Sequence, residues 1–278
     1  MKFKFAIHIL FIGLLASCKN DKPLNSNTLE TTKEEEATPE FINKGHELVF
    51  NMVEKVGNYN NLKELKDVVY TYTYQTPDGK TDSSTEKYIF DGELSYGAYT
   101  THERTLANLK GTIEQGYDGK GYWLKHKGDT LNDDAYLKRV AFNRPTNFYW
   151  FTMFQKMLDP GLNYEFIEET TIDNKNYDVV KVSFDLDIDK PTDIYQLYIN
   201  QDTNVVDQFL FTVADFGKME TPSLMLLEYE KIDGLLMPTK RKYKRSNWNA
   251  EVDENPWIMV NWSDIQFNTN LTKEDFKI

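Results

Sequence analysis

The chain has 278 residues and a formal net charge of −12, because 44 acidic side chains outnumber 32 basic ones. Such acidity argues against nucleic acid, and against an anionic lipid surface, as the main partner of the folded part. Aromatic residues make up 14% of the sequence, which suits β strands. The length is sufficient for one β-rich domain with a substantial core.

The first residues have the pattern of a secretory leader. Lys2 and Lys4 form a short basic flank, and a mostly apolar run follows from Phe5 to Ala16. This run is shorter than the about 20 apolar residues that span a bilayer, and its flank is typical of a signal peptide. The run ends in Leu-Ala-Ser-Cys, with Cys18 last, which resembles the bacterial lipobox. The resemblance implies that residues 1–17 are a signal peptide, removed when Cys18 receives its lipid.

Cys18 is the only cysteine, so neither an intrachain disulfide nor a cysteine-based metal cluster is possible. Residues 18–38 contain almost no apolar side chains, and they are predicted to form a disordered tether. The predicted partner is therefore a membrane, held through the lipid on Cys18. We expect the domain at 39–278 to lie in the cell envelope, as an outer-membrane lipoprotein that faces either the periplasm or the cell surface.

The domain is predicted to begin with an amphipathic helix. Apolar residues recur at helical spacing from Phe41 to Val56, and Gly57 and Asn58 supply a stop. Alternating residues then predict a strand at 68–75 and a second strand that ends at residue 90. Further strands are predicted at 93–101, 111–117 and 121–126.

The alternation breaks at residues 132–158. Asn143-Arg144-Pro145 predicts a helix start, with proline in the first turn, and Asp159-Pro160-Gly161 predicts its end. Most of the circumference of the helix predicted between these two signals is apolar or aromatic. Such a helix has to be enclosed, because its exposed apolar area would be a liability.

The second half again predicts strands, at 163–170, 176–185, 193–200, 204–214, 223–232, 235–244 and 257–268. Asp233-Gly234 is a strong hairpin signal. Consecutive short strands with brief turns indicate an antiparallel sheet. The predicted fold class is therefore mainly β (α+β): a curved antiparallel sheet or incomplete β-barrel, with an N-terminal helix and a mid-chain helical insertion over its concave face.

If the sheet and the inserted helix do not fill the interior, an apolar ligand cavity remains. Its predicted lining is the aromatic part of the helix: Phe148, Trp150, Phe151, Phe154 and Met157. The alternative is that this helix simply fills the core.

Other polar groups give weaker predictions. Glu168-Glu169 and the set Asp185, Asp187 and Asp189 are candidates for paired-carboxylate hydrolysis, although a solvated strand edge also explains them. The basic run Lys240 to Arg245 is interpreted as a charged edge strand. His46, His102 and His126 lack metal-pair spacing, and no nucleophile elbow or phosphate loop occurs. We therefore expect no catalytic residues, no metal and no cofactor.

The layout of residues 40–278 resembles a known family. The residues that carry it are the hairpin Tyr229–Thr239, the closing strand through Asp264–Asn268, and Tyr117-Asp118-Gly119 with Trp123. The chain is similar to the LolA/LolB-like lipoprotein carriers, and more closely to a lipoprotein family of Bacteroidetes outer membranes with that layout. The resemblance implies an incomplete barrel closed by helices over an apolar cavity, which in carriers holds acyl chains.

Three functions follow, in order of preference. The first is a membrane-anchored, non-enzymatic protein that binds an apolar or acylated ligand in the cavity. The second is a surface interaction or glycan-binding lipoprotein with a solid core and an aromatic platform, drawn from Tyr96, Tyr99, Trp248 and Trp257. The third is a carboxylate-dependent hydrolase with a polar cleft.

Overall fold

The computed structural model describes residues 39–185 and 192–278. The predicted signal peptide, the lipidation of Cys18 and the tether lie outside the described residues, as do Asp187 and Asp189. These expectations stay predictions.

Thirteen strands form one antiparallel sheet with the order β6-β5-β4-β3-β2-β1-β13-β12-β11-β10-β9-β8-β7. The strands are β1 (Asp67–Gln75), β2 (Thr81–Ile89), β3 (Leu94–His102), β4 (Ile113–Tyr117), β5 (Tyr122–His126), β6 (Asp129–Thr130), β7 (Leu162–Ile172), β8 (Lys175–Phe184), β9 (Ile194–Asn200), β10 (Val206–Val213), β11 (Lys218–Ile232), β12 (Leu235–Arg245) and β13 (Ile258–Phe267). The predicted mainly β class with a curved, open antiparallel sheet is confirmed. The two-residue strand β6 was not predicted, because it is too short to show an alternation.

The first and last strands meet in the middle of the sheet. Strand β1 pairs with β13 from Val68 opposite Phe267 to Gln75 opposite Met259. The buried carboxylate of Asp67 strengthens this seam: it accepts hydrogen bonds from the backbone N–H of Thr269 (2.7 Å) and of Leu271 (3.3 Å). Two arms of the sheet, β2–β6 and β7–β12, therefore extend from one central pair.

The sequence explains the two-residue hairpin between β11 and β12. Asp233 and Gly234 have φ angles of 46° and 89°, and Ile232 pairs directly with Leu235. Both turn residues thus adopt the left-handed region that a two-residue hairpin requires and that Asp-Gly favours. The predicted turn between β11 and β12 is confirmed.

The helix α1 (Lys44–Val56) confirms the predicted amphipathic helix. The side chain of Asn43 caps its first turn by accepting a hydrogen bond from the backbone N–H of His46. Its buried face, which includes Val49, Met52 and Val53, packs on the same face of the sheet as the mid-chain helix. We call this helix-covered face the inner face. A short helix α2 (Tyr59–Glu64) leads into β1.

The mid-chain helix α3 runs from Asp134 to Thr152, so the predicted start at Asn143 was wrong. Asp133 is the true cap, since its carboxylate accepts from the backbone N–H groups of Ala135 and Tyr136. Pro145 lies inside the helix on its exposed side, where the missing N–H is tolerated. Irregular turns continue from Met153 to the end of the aromatic segment. Helix α3 connects the β6 edge of the sheet with the β7 edge.

Candidate functional site

A cavity of about 580 Å³ lies between α3 and the inner face. Residues of β1, β2, β3 and β10–β13 line it. Strands β3 and β10 are far apart in the strand order, so they border one cavity only because the sheet curves. This volume falls within the range of about 300–1,000 Å³ that is usual for small-molecule sites.

The wall is largely apolar and aromatic. Trp150 of α3 lines the cavity together with Phe211, Met225, Val260 and Trp262, and it packs edge-on against Phe211. Tyrosines from alternate positions of β1, together with one each from β3 and β12, complete this wall: Tyr70, Tyr72, Tyr74, Tyr99 and Tyr243. Tyrosine brings an apolar ring and one polar atom, so such a wall suits a ligand that is mostly apolar and partly polar.

Of the five residues predicted to line a cavity, Trp150 does so and the other four lie in the packed core. Phe148 and Phe151 are 3% and 1% exposed and belong to a cluster with β1, β2 and β13. Phe154 and Met157 are buried against α1 and β8–β11. The helix is enclosed, as its composition indicates, and most of its aromatic residues fill space. The void lies beside the more polar part of α3.

The cavity wall is basic although the chain is acidic. Four residues with basic side chains line it, namely Arg104, Arg139, Arg241 and Arg245, together with the carboxylate of Asp82. Arg104 forms an ion pair with Asp82 at 3.4 Å. Lys244 also contributes to the wall, but its ammonium lies over Trp257 and donates to the backbone oxygen of Asn255 at 3.0 Å. The lining thus carries more cations than carboxylates, in a protein with a net charge of −12.

One buried arginine next to the cavity has a carboxylate partner. The guanidinium of Arg144 donates from Nη1 to Oε2 of Glu86 at 2.9 Å and from Nη2 to Oε1 at 3.3 Å, while its Nε has no acceptor among the described residues. Both side chains are completely buried, and Arg144 also donates to the hydroxyl of Tyr99, which lines the cavity. Burial lowers the pKa of Arg144, but the negative charge of Glu86 outweighs burial, so the pKa is raised. The charge of Arg144 is thus balanced within the protein.

A second buried arginine, Arg241, is different. It is 4% exposed, and its guanidinium lies flat against Trp262, with Cζ 3.7 Å from the ring centroid. Its one hydrogen bond among the described residues is a long one, 3.5 Å, from Nη1 to the backbone oxygen of Trp150. Burial lowers its pKa to about 10, so it remains a cation at neutral pH.

Two buried donors of this wall have no acceptor among the described residues: Nε of Arg241 and Nε1 of Trp262. Both groups can only donate hydrogen bonds. Buried donors normally have partners, and leaving one unpaired costs about 1–3 kcal/mol. This part of the cavity, which we call the floor, therefore has a cation in its wall, with two unpaired donors buried beside it.

Another part of the cavity border, which we call the rim, is more exposed than the floor. Phe216, on a 3-10 turn at Ala214–Phe216, is 54% exposed and packs edge-on against Phe142 with ring centroids 5.1 Å apart. Arg139 lies near the same ring of Phe142, and the exposed Arg245 also borders the cavity. The rim thus combines exposed aromatic rings with cations.

The prediction that the basic run from Lys240 to Arg245 is an edge strand was wrong. These residues belong to β12, which lies between β11 and β13. Alternate residues of a strand point to opposite faces, which brings Arg241 and Tyr243 to the cavity. Lys242, between them, packs over Trp257 on the outer face. The sequence shows this alternation, but only the fold shows that it directs an arginine into an aromatic cavity.

The carboxylates predicted for hydrolysis do not border the cavity. Glu168 and Glu169 are exposed on the edge strand β7, where Glu169 pairs with Lys44 at 3.1 Å. Asp185 is exposed and accepts from Asn163. The cavity carboxylate, Asp82, accepts from the backbone N–H and hydroxyl of Thr105, both donors that belong to the wall itself. The two opposed carboxyl groups that glycoside hydrolysis needs are thus not brought together at the cavity.

The aromatic residues predicted for a surface platform are not brought together either. Tyr99 is 2% exposed and lies on the cavity wall. Tyr96 packs near Trp123, whereas Trp248 and Trp257 pack against a separate cluster on the outer face. The solid core that this hypothesis requires is interrupted by the cavity.

The described ranges contain no group of three His, Cys, Asp or Glu side chains placed to hold a metal ion. None of the helices in those ranges has both the length and the apolar character needed to cross a membrane.

The sequence matches no protein-family model and no curated protein. Solved structures similar to the chain include a DUF1329 family protein from Desulfovibrio piger (14% identity, 84% of this chain and 95% of that one, TM-score 0.49). They also include a LolA superfamily protein from Nitrosomonas europaea (13% identity, 83% of this chain and 97% of that one, TM-score 0.46). Both TM-scores are below 0.5, and neither likeness bears on what the cavity binds.

Proposed function

We propose that this protein is a non-enzymatic, membrane-anchored binding protein of the cell envelope, which holds an apolar or acylated ligand in its inner-face cavity. The cavity itself carries the proposal. It is about 580 Å³ in volume and has walls of tryptophan, phenylalanine, tyrosine and aliphatic side chains. Transfer of an acyl chain from water to such a wall is favourable by about 0.8 kcal/mol per buried methylene.

The anchor and location rest on the sequence. An apolar leader that ends in Cys18 supports lipidation of that cysteine, and the following polar residues support a tether. A Cys18→Ser variant should leave the membrane fraction, and metabolic labelling with a fatty-acid analogue should lose its signal. A variant that is still labelled, or still sediments with membranes, would contradict the anchor while leaving the cavity proposal intact.

The cavity proposal is tested by filling the cavity. Met225 of β11 is 2% exposed and lines the wall, so Met225→Trp places a ring in the void. The full chain, produced with its own leader in a bacterial envelope, is analysed by native mass spectrometry and organic extraction. We expect non-covalent acyl species on the wild type and loss of them from the variant.

The matched control is Leu226→Trp. Leu226 is the next residue of the same strand and packs on the outer-face cluster, so it adds the same ring away from the cavity. The control should keep the ligand. Equal loss in both variants would indicate unfolding, which circular dichroism checks. Equal retention would place the ligand elsewhere. A wild type that neither carries acyl species nor binds added palmitate would contradict the proposed function.

A further inference from the structure

The floor of the cavity has a chemistry that a purely apolar ligand would not satisfy. Arg241 is 4% exposed and has no carboxylate within ion-pair distance among the described residues. A buried, unpaired charge is strongly unfavourable unless a counter-charge and hydrogen bonds compensate it. The other fully buried arginine, Arg144, has this compensation from Glu86. The floor therefore lacks one negative group that can accept hydrogen bonds.

Trp262 defines what that group must be. Its Nε1 is a buried donor without an acceptor, next to the guanidinium that stacks on its ring. Two kinds of donor, a guanidinium and an indole N–H, thus lie close together in the same part of the cavity wall. Oxyanions accept several such hydrogen bonds, and charge-assisted ones are the strongest. One guanidinium is balanced by one negative charge, as in a carboxylate or a phosphodiester.

The remaining wall defines the other part of the ligand. Besides the floor, the cavity is bordered by the apolar side chains of Met225, Val260 and Phe211 and by the ring pair of Phe142 and Phe216 at the rim. The floor is the more buried part, since Arg241 is 4% exposed and Phe216 is 54% exposed. A ligand that satisfies both parts has its charge at the buried floor and its apolar chain directed toward the rim.

On the basis of the proposed function, we infer that the ligand is an acyl-chain amphiphile with a singly charged oxyanion head, bound head-first with the head at Arg241 and Trp262. The basic cavity in an acidic protein agrees with this polarity, since it favours entry of an anion over a cation. Arg139 and Arg245 at the rim would assist entry and would not hold the head.

The test compares four probes on the purified full chain: palmitate, hexadecan-1-ol, lysophosphatidylglycerol and inorganic phosphate. The first two share a chain and differ in charge. The third carries a phosphodiester, and the fourth has no chain. We expect the wild type to bind palmitate or lysophosphatidylglycerol about 10- to 100-fold more tightly than the alcohol. Whichever of the two binds more tightly identifies the carboxylate or the phosphodiester as the head.

Arg241→Met should remove that preference by weakening the anionic probes about 10- to 100-fold while leaving the alcohol unchanged. Arg241→Lys should restore part of it. Lys242→Met, which removes a cation from the other face of the same strand, is the matched control and should keep the preference. Arg245→Met removes a cation at the rim and tests whether the head lies there instead. Trp262→Phe retains the ring, removes the N–H donor and should weaken the anionic probes by less than Arg241→Met does.

Each contrary result has its own meaning. Equal binding of palmitate and the alcohol by the wild type would overturn the head-group inference and leave the proposed function standing. Loss of the preference in Arg245→Met, but not in Arg241→Met, would place the head at the rim. Binding of inorganic phosphate at the strength of the amphiphiles would show a free-anion site. If no chain-bearing probe binds, the proposed function itself fails.

Discussion

Two buried arginines, Arg144 on α3 and Arg241 on β12, have the same charge in very different surroundings. Arg144 forms a bidentate ion pair with Glu86 and lies in a region without free space. Arg241 stacks on a tryptophan beside a large cavity and lacks a carboxylate partner among the described residues. Their pKa values move in opposite directions, up for Arg144 and down to about 10 for Arg241.

The difference separates structural charge from charge that is available for binding. A completed pair contributes to a fixed architecture, and breaking it leaves a charge without compensation. A buried charge without a counter-charge lowers the free energy of unfolding until a ligand supplies the counter-charge. The stability of the protein and its affinity for the ligand are therefore linked. If this interpretation is right, matched changes in the two regions should differ in sign as well as in size.

The largest expected effect comes from breaking the completed pair. Glu86→Leu leaves Arg144 buried without its carboxylate, so the free energy of unfolding should fall by about 3–5 kcal/mol. Urea denaturation measures this. The double variant Glu86→Leu with Arg144→Met removes both charges and should recover most of the loss. A single variant with wild-type stability would mean that Arg144 finds another partner.

The next largest effect concerns the free space around Arg144 and around the cavity. A β-carbon at Gly97 would lie 2.6 Å from Nη1 of Arg144 and 2.7 Å from Oε1 of Glu86. Gly97→Ala should therefore displace the pair and lower the free energy of unfolding by about 1–3 kcal/mol. Val260→Leu, which adds one methylene toward the cavity, should change it by less than about 0.5 kcal/mol. Similar losses in both variants would contradict the contrast in packing.

A pH experiment examines Tyr99, whose hydroxyl accepts from Arg144 and which also lines the cavity. Burial raises its pKa to about 12, from an ordinary value near 10. Between these two values the unfolded chain loses this proton and the folded chain keeps it. The free energy of unfolding therefore falls as pH rises, by up to about 1.4 kcal/mol per pH unit for one group.

Other buried tyrosines, including Tyr70 and Tyr88, also have raised pKa values and add to this alkaline loss. Tyr99→Phe should reduce the loss between pH 9 and pH 11 by about 1 kcal/mol. The same variant should show no extra pH dependence between pH 7 and pH 9, where the phenol is protonated in both states. Urea denaturation at three pH values measures both intervals, and an unchanged alkaline loss would contradict the assignment.

The smallest expected effect has the opposite sign. Arg241→Met removes an uncompensated buried charge but also the stacking on Trp262, which offsets part of the gain. The ligand-free variant should be about 1 kcal/mol more stable in urea than the ligand-free wild type. A loss of more than about 2 kcal/mol would show that the chain compensates Arg241 as fully as it compensates Arg144.

The fold could be predicted from the sequence wherever a local pattern determines it. Alternation located every strand except β6, and Asp233-Gly234 located the two-residue hairpin between β11 and β12. The start of α3 was missed because its first turns are polar and because proline suggested a first turn. Pro145 is instead tolerated inside the helix, where its exposed position removes the cost of burying an unpaired carbonyl.

The candidate site was harder to predict, because a cavity is a place that side chains do not fill. The composition of residues 147–158 indicates enclosure, but enclosure by contact and enclosure around a void have the same sequence pattern. Trp150 alone of the predicted lining borders the cavity. Arg241 was assigned to an edge because the position of β12 depends on its pairing with β13, which no local pattern specifies.

The seam between β1 and β13 has a consequence for the order of folding. Tyr72 pairs with Trp262, about 190 residues later, so the central strand pair is also the most distant in sequence. Contacts of such separation close late, because the loop entropy is lost before they contribute energy. A chain that emerges N-terminus first can form the β1–β5 meander early. It cannot join that meander to the second arm, or complete the floor at Trp262, until β13 has emerged. The cavity is thus among the last parts of the molecule to become native. Until then an incomplete chain exposes its aromatic inner face to solvent and to molecular chaperones.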